Sequence, residues 1–286
     1  MNRTVVVGVD GSPASERALR WATDMAVRRN LELRLLHGMR TAELAFGGGF
    51  AGSVALFDSL REEGERMLAD AENLVRATAP AVPVTTDLVI DPPVSALIRA
   101  SEDARMVVLG QSGRGGFSGM LVGSTALAVA AHAHCPVAVV RGDRSVEPTD
   151  PVVIGVDGSP VSEHAIAVAF EEASLRQAPL VAVHAWSDTT FDGPRSTARL
   201  IPEWESLEDG EHRLLAERLA GWQEKYPDVA VHREVVRDRP REALLTGPAG
   251  GRRHPWPGRF HRHAAGIDQP CAAPARRVPR ADRPSG

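Results

Sequence analysis

The sequence predicts an α/β fold, built on a parallel sheet with helices on both faces and present twice in tandem. Short β-branched runs alternate with amphipathic stretches, which is the pattern of β–α units in a parallel sheet. The opening segment VVVGVDGSP, residues 5–13, returns as VVIGVDGSP at residues 152–160. A glycine-rich segment at residues 110–125 joins an apolar run to a helical stretch. The repeat spans about one domain, which indicates tandem duplication and not a solenoid.

The domain organisation follows from length and composition. A chain of 286 residues favours two domains. We expect the first domain at residues 1–142 and the second at residues 151–246. Residues 143–150 between them are polar and contain proline, which is typical of a linker.

Each element of the first copy follows from its local pattern. The opening strand turns at Asp-Gly-Ser, and a serine caps the amphipathic helix that follows. Residues 41–54 form a glycine-rich insert, which we expect to be mobile. Apolar runs predict strands at residues 31–37, 84–90, 106–109 and 136–141. Periodic stretches predict helices at residues 56–78, 94–101 and 126–133.

The second copy repeats this order and then stops. Strands are predicted at residues 152–156, 180–184 and 229–236, and helices at 163–173, 211–226 and 241–246. A fourth strand should follow, but residues 247–286 are rich in proline, arginine, glycine and histidine and have no periodicity. Such a segment is expected to be disordered, so the second copy is predicted to be incomplete.

A one-base frameshift near Thr246 would explain the tail. Read one base later, its codons permit Gly-Arg-Gly-Gly-Phe-Thr-Gly-Met-Leu-Leu-Gly-Ser, which matches residues 113–124 of the first copy at all but two positions. They also permit Cys-Pro-Val eleven residues after that serine, the separation of Cys135 from Ser124. We therefore hypothesise that residues 247–286 are out of frame, which resequencing the DNA would test.

Composition excludes several classes of function. The net charge of −4 gives no reason to expect nucleic acid as a partner, and no apolar run approaches the length of a membrane span. Two cysteines form no disulfide framework or zinc motif, so a cytoplasmic protein is expected. The only lysine is Lys225, so the glycine-rich segment is not a P-loop.

The glycine-rich segment predicts a phosphate site. Its spacing is Gly110, two residues, Gly113, nine residues, Gly123 and then Ser124. A strand, a glycine loop and a helix bring backbone N–H groups and a helix N-terminus to an anion. Ser124 and Thr125 add hydroxyls where the helix begins. The alternative is a glycine-rich surface loop without a ligand.

This signature resembles that of the universal stress protein family, whose nucleotide-binding members carry G-x2-G-x9-G-(S/T). The opening strand ending in Asp10-Gly11-Ser12, the closing Cys-Pro-Val strand and the tandem arrangement agree with it. The resemblance covers the first copy and the second to about Thr246. It implies a doubly wound, Rossmann-like sheet of five parallel strands, with ATP at their carboxyl ends.

The resemblance also implies the site. Asp10 would lie near the adenosine, the end of the second strand at Gly38 would border the adenine, and Arg114 is the nearest candidate cation for the phosphates. Magnesium could accompany the ATP, although no carboxylate pair is marked out for it. Asp10 could instead be a turn former, Ser124 a helix cap and Arg114 a solvated side chain. The predicted site residues are Asp10, Gly11, Ser12, Gly38, Leu109, Gly110, Gly113, Arg114, Gly123, Ser124 and Thr125.

Three functions are consistent with these residues. The first is a regulatory ATP-binding protein of the stress-response type, since no catalytic residue is identified. The second is a slow ATPase or nucleotide hydrolase, and the third is a dimerisation scaffold with incidental nucleotide binding. The closing strand at residues 136–141 is a candidate edge for a homodimer or for pairing of the two domains.

Other reactive residues are interpreted as structural. His37, His132 and His134 have no partner at a catalytic spacing. Cys135 is expected to be a small buried hydrophobe. Asp157 matches Asp10, but without a phosphate loop the second copy is not expected to bind nucleotide.

Overall fold

A computed structural model describes residues 2–39, 50–113, 122–141, 150–186, 204–237 and Leu244. Several predictions lie outside these residues. They are most of the insert at residues 41–54, the linker except its last residue, the short helix at 241–246 except Leu244, and the tail at 247–286.

The first copy forms one five-stranded parallel sheet in the order β3-β2-β1-β4-β5, which confirms the predicted fold class. The strand order reverses between β1 and β4, so the sheet is doubly wound. The elements are β1 Thr4–Gly8, α1 Pro13–Arg29, β2 Glu32–Gly38, α2 Phe50–Thr78, β3 Val84–Val89, α3 Pro93–Ala100, β4 Met106–Gly110, α4 Ser124–His132 and β5 Val137–Val140.

Several helices begin earlier than their periodicity predicts, among them α2 and α4 of the first copy and α5 and α6 of the second. Helix α2 starts at Phe50, six residues before the predicted start, and so includes the end of the glycine-rich insert. Helix α4 starts at Ser124, two residues before the predicted start. Extending an existing helix by one residue is far easier than nucleating one, so amphipathic patterns mark the middle of a helix better than its ends.

Side chains alternate between the two faces of the sheet. Val5 and Val7 of β1 pack with α1 and α2, whereas Val6 packs with α3 and α4. All three valines have at most 1% of their surface exposed. Both faces of β1 are therefore buried, which is why its sequence is a continuous apolar run without alternation.

The second copy forms a separate three-stranded parallel sheet in the order β6-β7-β8. Its register repeats that of the first copy: Val5 pairs with Leu33, and Val152 pairs with Leu180, each 147 positions later. In the described residues, no strand occupies the place that β4 takes in the first copy. The elements are β6 Val152–Gly155, α5 Pro160–Arg176, β7 Leu180–Trp186, α6 Trp204–Lys225 and β8 Val231–Arg237.

Ion pairs connect the two copies. Arg29, at the end of α1, pairs with Glu172 of α5 and lies 3.6 Å from Glu171. Arg105, just before β4, lies 2.6 Å from Glu171. These contacts are at the amino-terminal edge of the first sheet, so they leave its carboxyl-terminal edge accessible.

Candidate functional site

A cleft of about 590 Å³ lies at the carboxyl ends of β1 and β4. The strand order reverses between these strands, and ligands of open α/β sheets bind at that point. A smaller concavity of about 360 Å³ lies at the opposite edge, where Arg34 is paired with Asp87. Of the two concavities, only the larger is lined by Gly110, Gly113 and Gly123, which makes that cleft the candidate site. Eight of the predicted site residues line it: Asp10, Gly38, Leu109, Gly110, Gly113, Gly123, Ser124 and Thr125.

Gly11 and Ser12 have a different place. Gly11 has a φ of +72°, which a residue with a side chain rarely adopts, and it forms the turn after β1. Ser12 caps α1, because its hydroxyl accepts a hydrogen bond from the Ser15 N–H at 3.1 Å. Neither is among the residues that line the cleft. Their effect on the site is to position Asp10.

Asp10 has one carboxylate oxygen in the turn and the other at the glycine loop. Oδ1 accepts a hydrogen bond from the Ser12 N–H at 3.0 Å. Oδ2 would lie only 2.6 Å from a Cβ atom on Gly113. Gly113 must therefore lack a side chain for the Asp10 carboxylate to keep this position. The Asp10 side chain therefore has both roles: it forms the turn after β1 and it is a candidate binding residue.

Two other glycines of the site allow close packing. A Cβ on Gly110 would lie 2.5 Å from the carbonyl carbon of Ala14 and 2.6 Å from its oxygen. A Cβ on Gly38 would lie 2.7 Å from Cα of Pro93. In both cases the clashing atoms belong to the backbone, which cannot rotate away as the end of a side chain can. These glycines bring α1 and the start of α3 against the strand ends that form the cleft.

The start of α4 provides hydrogen-bond donors. Gly123 is the N-cap, and no side chain caps the helix, so Ser124 lies inside the first turn instead of capping it. The Gly123 N–H donates to Gln111 O at 2.6 Å, which fixes the glycine loop to the helix start. The first N–H groups of a helix have no partner within it and carry a partial positive charge. Together with the hydroxyls of Ser124 and Thr125, they suit an anion.

Sequence reasoning missed the wall that α2 contributes. Leu60, Glu63 and Met67 line the cleft from this helix, and Met67 lies over Gly11. Their spacing of three and four residues places them on one helical face, which is the signal that could have indicated a shared role. His37 and Met39, at the end of β2, also line the cleft. Arg114 lies outside the described residues.

The donors at the start of α4 in the described cleft are backbone amides and the hydroxyls of Ser124 and Thr125. Among the residues that the structure describes, no group of three histidine, cysteine or acidic side chains is placed to hold a metal ion. Such a donor set can bind phosphate oxygens.

Cys135 is half-buried, and this burial raises the pKa of its thiol to about 11. Only the thiolate reacts, so at pH 8 about one thiol in a thousand is reactive, against about a quarter of unperturbed thiols. In a Cys271→Ser variant, Cys135 is the remaining cysteine. We expect this variant to react slowly with iodoacetamide at pH 8. The labelling rate should rise about tenfold per pH unit up to pH 10. Mass spectrometry of timed samples measures this. Labelling of the folded variant as fast as in urea at pH 8 would contradict it.

Within the described residues, no helix is long and apolar enough to cross a membrane.

The fold and the cleft together define a class: a doubly wound α/β domain with a glycine loop and a helix N-terminus facing the strand ends. Comparison with known proteins gives the family. The model of the universal stress protein family matches residues 1–141 and again residues 148–246. The chain therefore belongs to the universal stress protein family, in a tandem form.

Relatives and solved structures agree. Universal stress protein Rv2005c of Mycobacterium tuberculosis is 41% identical over 249 residues, covering 84% of this chain and 82% of the relative. Universal stress protein Rv1996 of the same organism is 40% identical over 261 residues, covering 85% of this chain and 82% of the relative. A universal stress protein structure from Archaeoglobus fulgidus has a TM-score of 0.60 and 19% identity, over 86% of this chain and 82% of that one, which supports the fold.

Proposed function

We propose that the first copy binds ATP and serves a regulatory role in a stress response. The observation that carries the proposal is the cleft itself, in which Asp10, Gly113 and the start of α4 converge at the strand-order reversal. Amide and hydroxyl donors at one end suit phosphates, and Arg114 is a candidate cation for them. Membership of the universal stress protein family supports a stress-response role. Magnesium would enter this site with the phosphates, and we propose a cytoplasmic location.

Protein purified under native conditions tests this proposal. Native mass spectrometry should detect a bound adenine nucleotide, and added ATP should raise the melting temperature. A ligand at a hundred times its dissociation constant stabilises the folded state by about 2.7 kcal/mol. A folded protein that carries no nucleotide and gains no thermal stability in millimolar ATP would overturn the proposal.

We propose that the nucleotide is held and not rapidly hydrolysed. Two groups of the cleft that could activate a nucleophile are Asp10 and His37. His37 lies at the end of β2, on the far side of β1 from β4 and the start of α4, where the phosphates would bind. Asp10 Oδ1 is held in the turn after β1 by a hydrogen bond from the Ser12 N–H. Steady turnover well above the rate without protein, abolished by Asp10→Ala, would favour the alternative of a slow ATPase or nucleotide hydrolase.

The two copies are proposed to differ in function. We propose domains at residues 1–142 and 151–246, and in the printed sequence only the first carries the G-x2-G-x9-G-S signature. The second retains Asp157, whose pKa is lowered by hydrogen bonds from Ser159. The match to the family ends at residue 246, near the position of the hypothesised frameshift.

Strand β5 is proposed as a dimerisation edge. It lies at the end of the first sheet and pairs with β4 on one side. Its residues Ala138, Val139 and Val140 are only half-buried. An apolar edge strand is a template for pairing with a second copy of the chain or with the second domain. Sedimentation velocity of the full chain would decide between these partners.

A further inference from the structure

We propose that His37 selects adenine, because its Nε2 atom accepts a hydrogen bond from the exocyclic amine of the bound base. The cleft would then prefer ATP over a nucleotide that has a carbonyl oxygen in place of that amine, such as inosine triphosphate. This inference rests on the proposed function and adds a residue that determines specificity.

The hydrogen bond of His37 sets which nitrogen is the acceptor. Its Nδ1 atom lies 2.7 Å from Val9 O. A carbonyl oxygen only accepts hydrogen bonds, so Nδ1 carries the proton. In the neutral imidazole, Nε2 is then an acceptor with a lone pair. Among the described residues, Nε2 has no hydrogen-bond partner.

The base should occupy the end of the cleft where His37 lies. The donor-rich end is formed by the glycine loop and the start of α4, beside β4. The other end, at β2 and α2, is lined by Leu36, Met39, Leu60 and Met67, which are apolar. A flat aromatic base fits apolar walls with a few polar groups for orientation. The phosphates and the base would thus lie at opposite ends of the cleft.

Gly64 places no side chain against the ε edge of His37. The helix residues Glu63 and Met67 on either side of Gly64 line the cleft. A Cβ on Gly64 would lie 3.0 Å from Cδ2 of His37 and 3.5 Å from Nε2. Any side chain here would therefore lie against the acceptor nitrogen. Glycine leaves that nitrogen available to a ligand.

The second copy shows the opposite arrangement at the matching positions, 147 residues later in the register of the sheets. His184 Nδ1 donates to Val156 O at 2.6 Å, as His37 does to Val9 O. However, Glu211 stands where the first copy has Gly64, and its carboxylate lies 2.8 Å from His184 Nε2. The nitrogen that has no hydrogen-bond partner among the described residues of the first copy thus has the protein's own side chain as its partner in the second.

A neighbouring substitution makes room for Glu211. In the first copy, a Cβ on Gly64 would lie 2.7 Å from Leu88 Cδ1. The position that corresponds to Leu88 is the smaller Val235 in the second copy, since β3 and β8 pair in the same register with their neighbours. The double variant Gly64→Glu/Leu88→Val therefore copies the second copy's arrangement into the first.

The test compares the dissociation constants of ATP and inosine triphosphate by isothermal titration calorimetry on the full chain. We expect the wild type to bind ATP at least tenfold more tightly, because Nε2 and a carbonyl oxygen are both acceptors. His37→Asn keeps a donor for Val9 O but removes Nε2, so the preference should fall to about twofold or less. The Gly64→Glu/Leu88→Val variant should lose the preference as well.

His184→Asn is the matched control, since it makes the same change in the second copy and should leave the preference intact. Equal affinities of the wild type for the two nucleotides would overturn this inference while leaving the proposed function standing. An unchanged preference in His37→Asn would overturn it too. Failure of both nucleotides to bind a folded wild type would overturn the proposed function, and this inference with it.

Discussion

Replacing Gly110 by alanine is expected to lower the free energy of unfolding of the first copy by about 3 kcal/mol, the upper end for an overpacked site. The new Cβ would lie 2.5 Å from the carbonyl carbon of Ala14. That atom belongs to the first turn of α1, which Ser12 and Pro13 fix in place. Strand β4 and helix α1 must therefore separate. Urea unfolding measures the loss, and hydrogen exchange should show it in residues 13–29 and 106–110.

A matched control lies in the second copy. Gly221 is within α6, and a Cβ there would meet nothing within 4 Å. Because alanine favours helix more than glycine does, Gly221→Ala should stabilise the second copy by about 0.5–1 kcal/mol. If Gly110→Ala were as stable as the wild type, the close packing of α1 on β4 described above would be wrong.

Replacing Gly113 by valine is expected to weaken ATP binding about 30-fold, or about 2 kcal/mol, with little loss of stability. The Cβ would lie 2.6 Å from Asp10 Oδ2. Unlike the backbone of Ala14, this carboxylate is the end of a side chain and can rotate away. The domain should therefore remain folded while Asp10 leaves its position and the added methyl groups narrow the cleft. Calorimetric titration with ATP measures the affinity.

Thermal unfolding of the same sample separates binding from folding. Gly210→Val is the control, since a Cβ on Gly210 of α6 would meet nothing within 4 Å. This variant should bind ATP as the wild type does. An unchanged affinity of a folded Gly113→Val protein would show that Asp10 and the glycine loop do not form the nucleotide site together.

These two variants divide the signature into two kinds of glycine. Gly110 is required by the backbone of a neighbouring helix, whereas Gly113 is required by a side chain at the mouth of the cleft. Sequence reasoning assigns both to phosphate binding, because the spacing shows only that glycine is present. The atoms that exclude a side chain at these glycines belong to Ala14 and Asp10, which lie about a hundred residues earlier in the chain.

The sequence alone determined the duplication, the alternation of strands and helices, and the strand-and-loop order of the candidate site. Apolar runs, capping serines and glycine spacing act over a few residues, so they are visible locally. The duplication is visible because one segment of the sequence occurs twice. Ser12 and Ser159 indeed cap α1 and α5 through the same contact, to the N–H three residues later. Element ends were predicted less well, because helices extend once nucleated.

Only the tertiary structure decided which side chains face the cleft. Sequence reasoning interprets His37 as a structural residue, and its Nδ1 does bond the chain just after β1. That Gly64 places no side chain against its ε edge depends on how α2 packs across the sheet. The second copy has the same histidine with the same backbone contact, yet Glu211 covers it. Packing between distant segments is set by the whole core, so a short motif cannot reveal it.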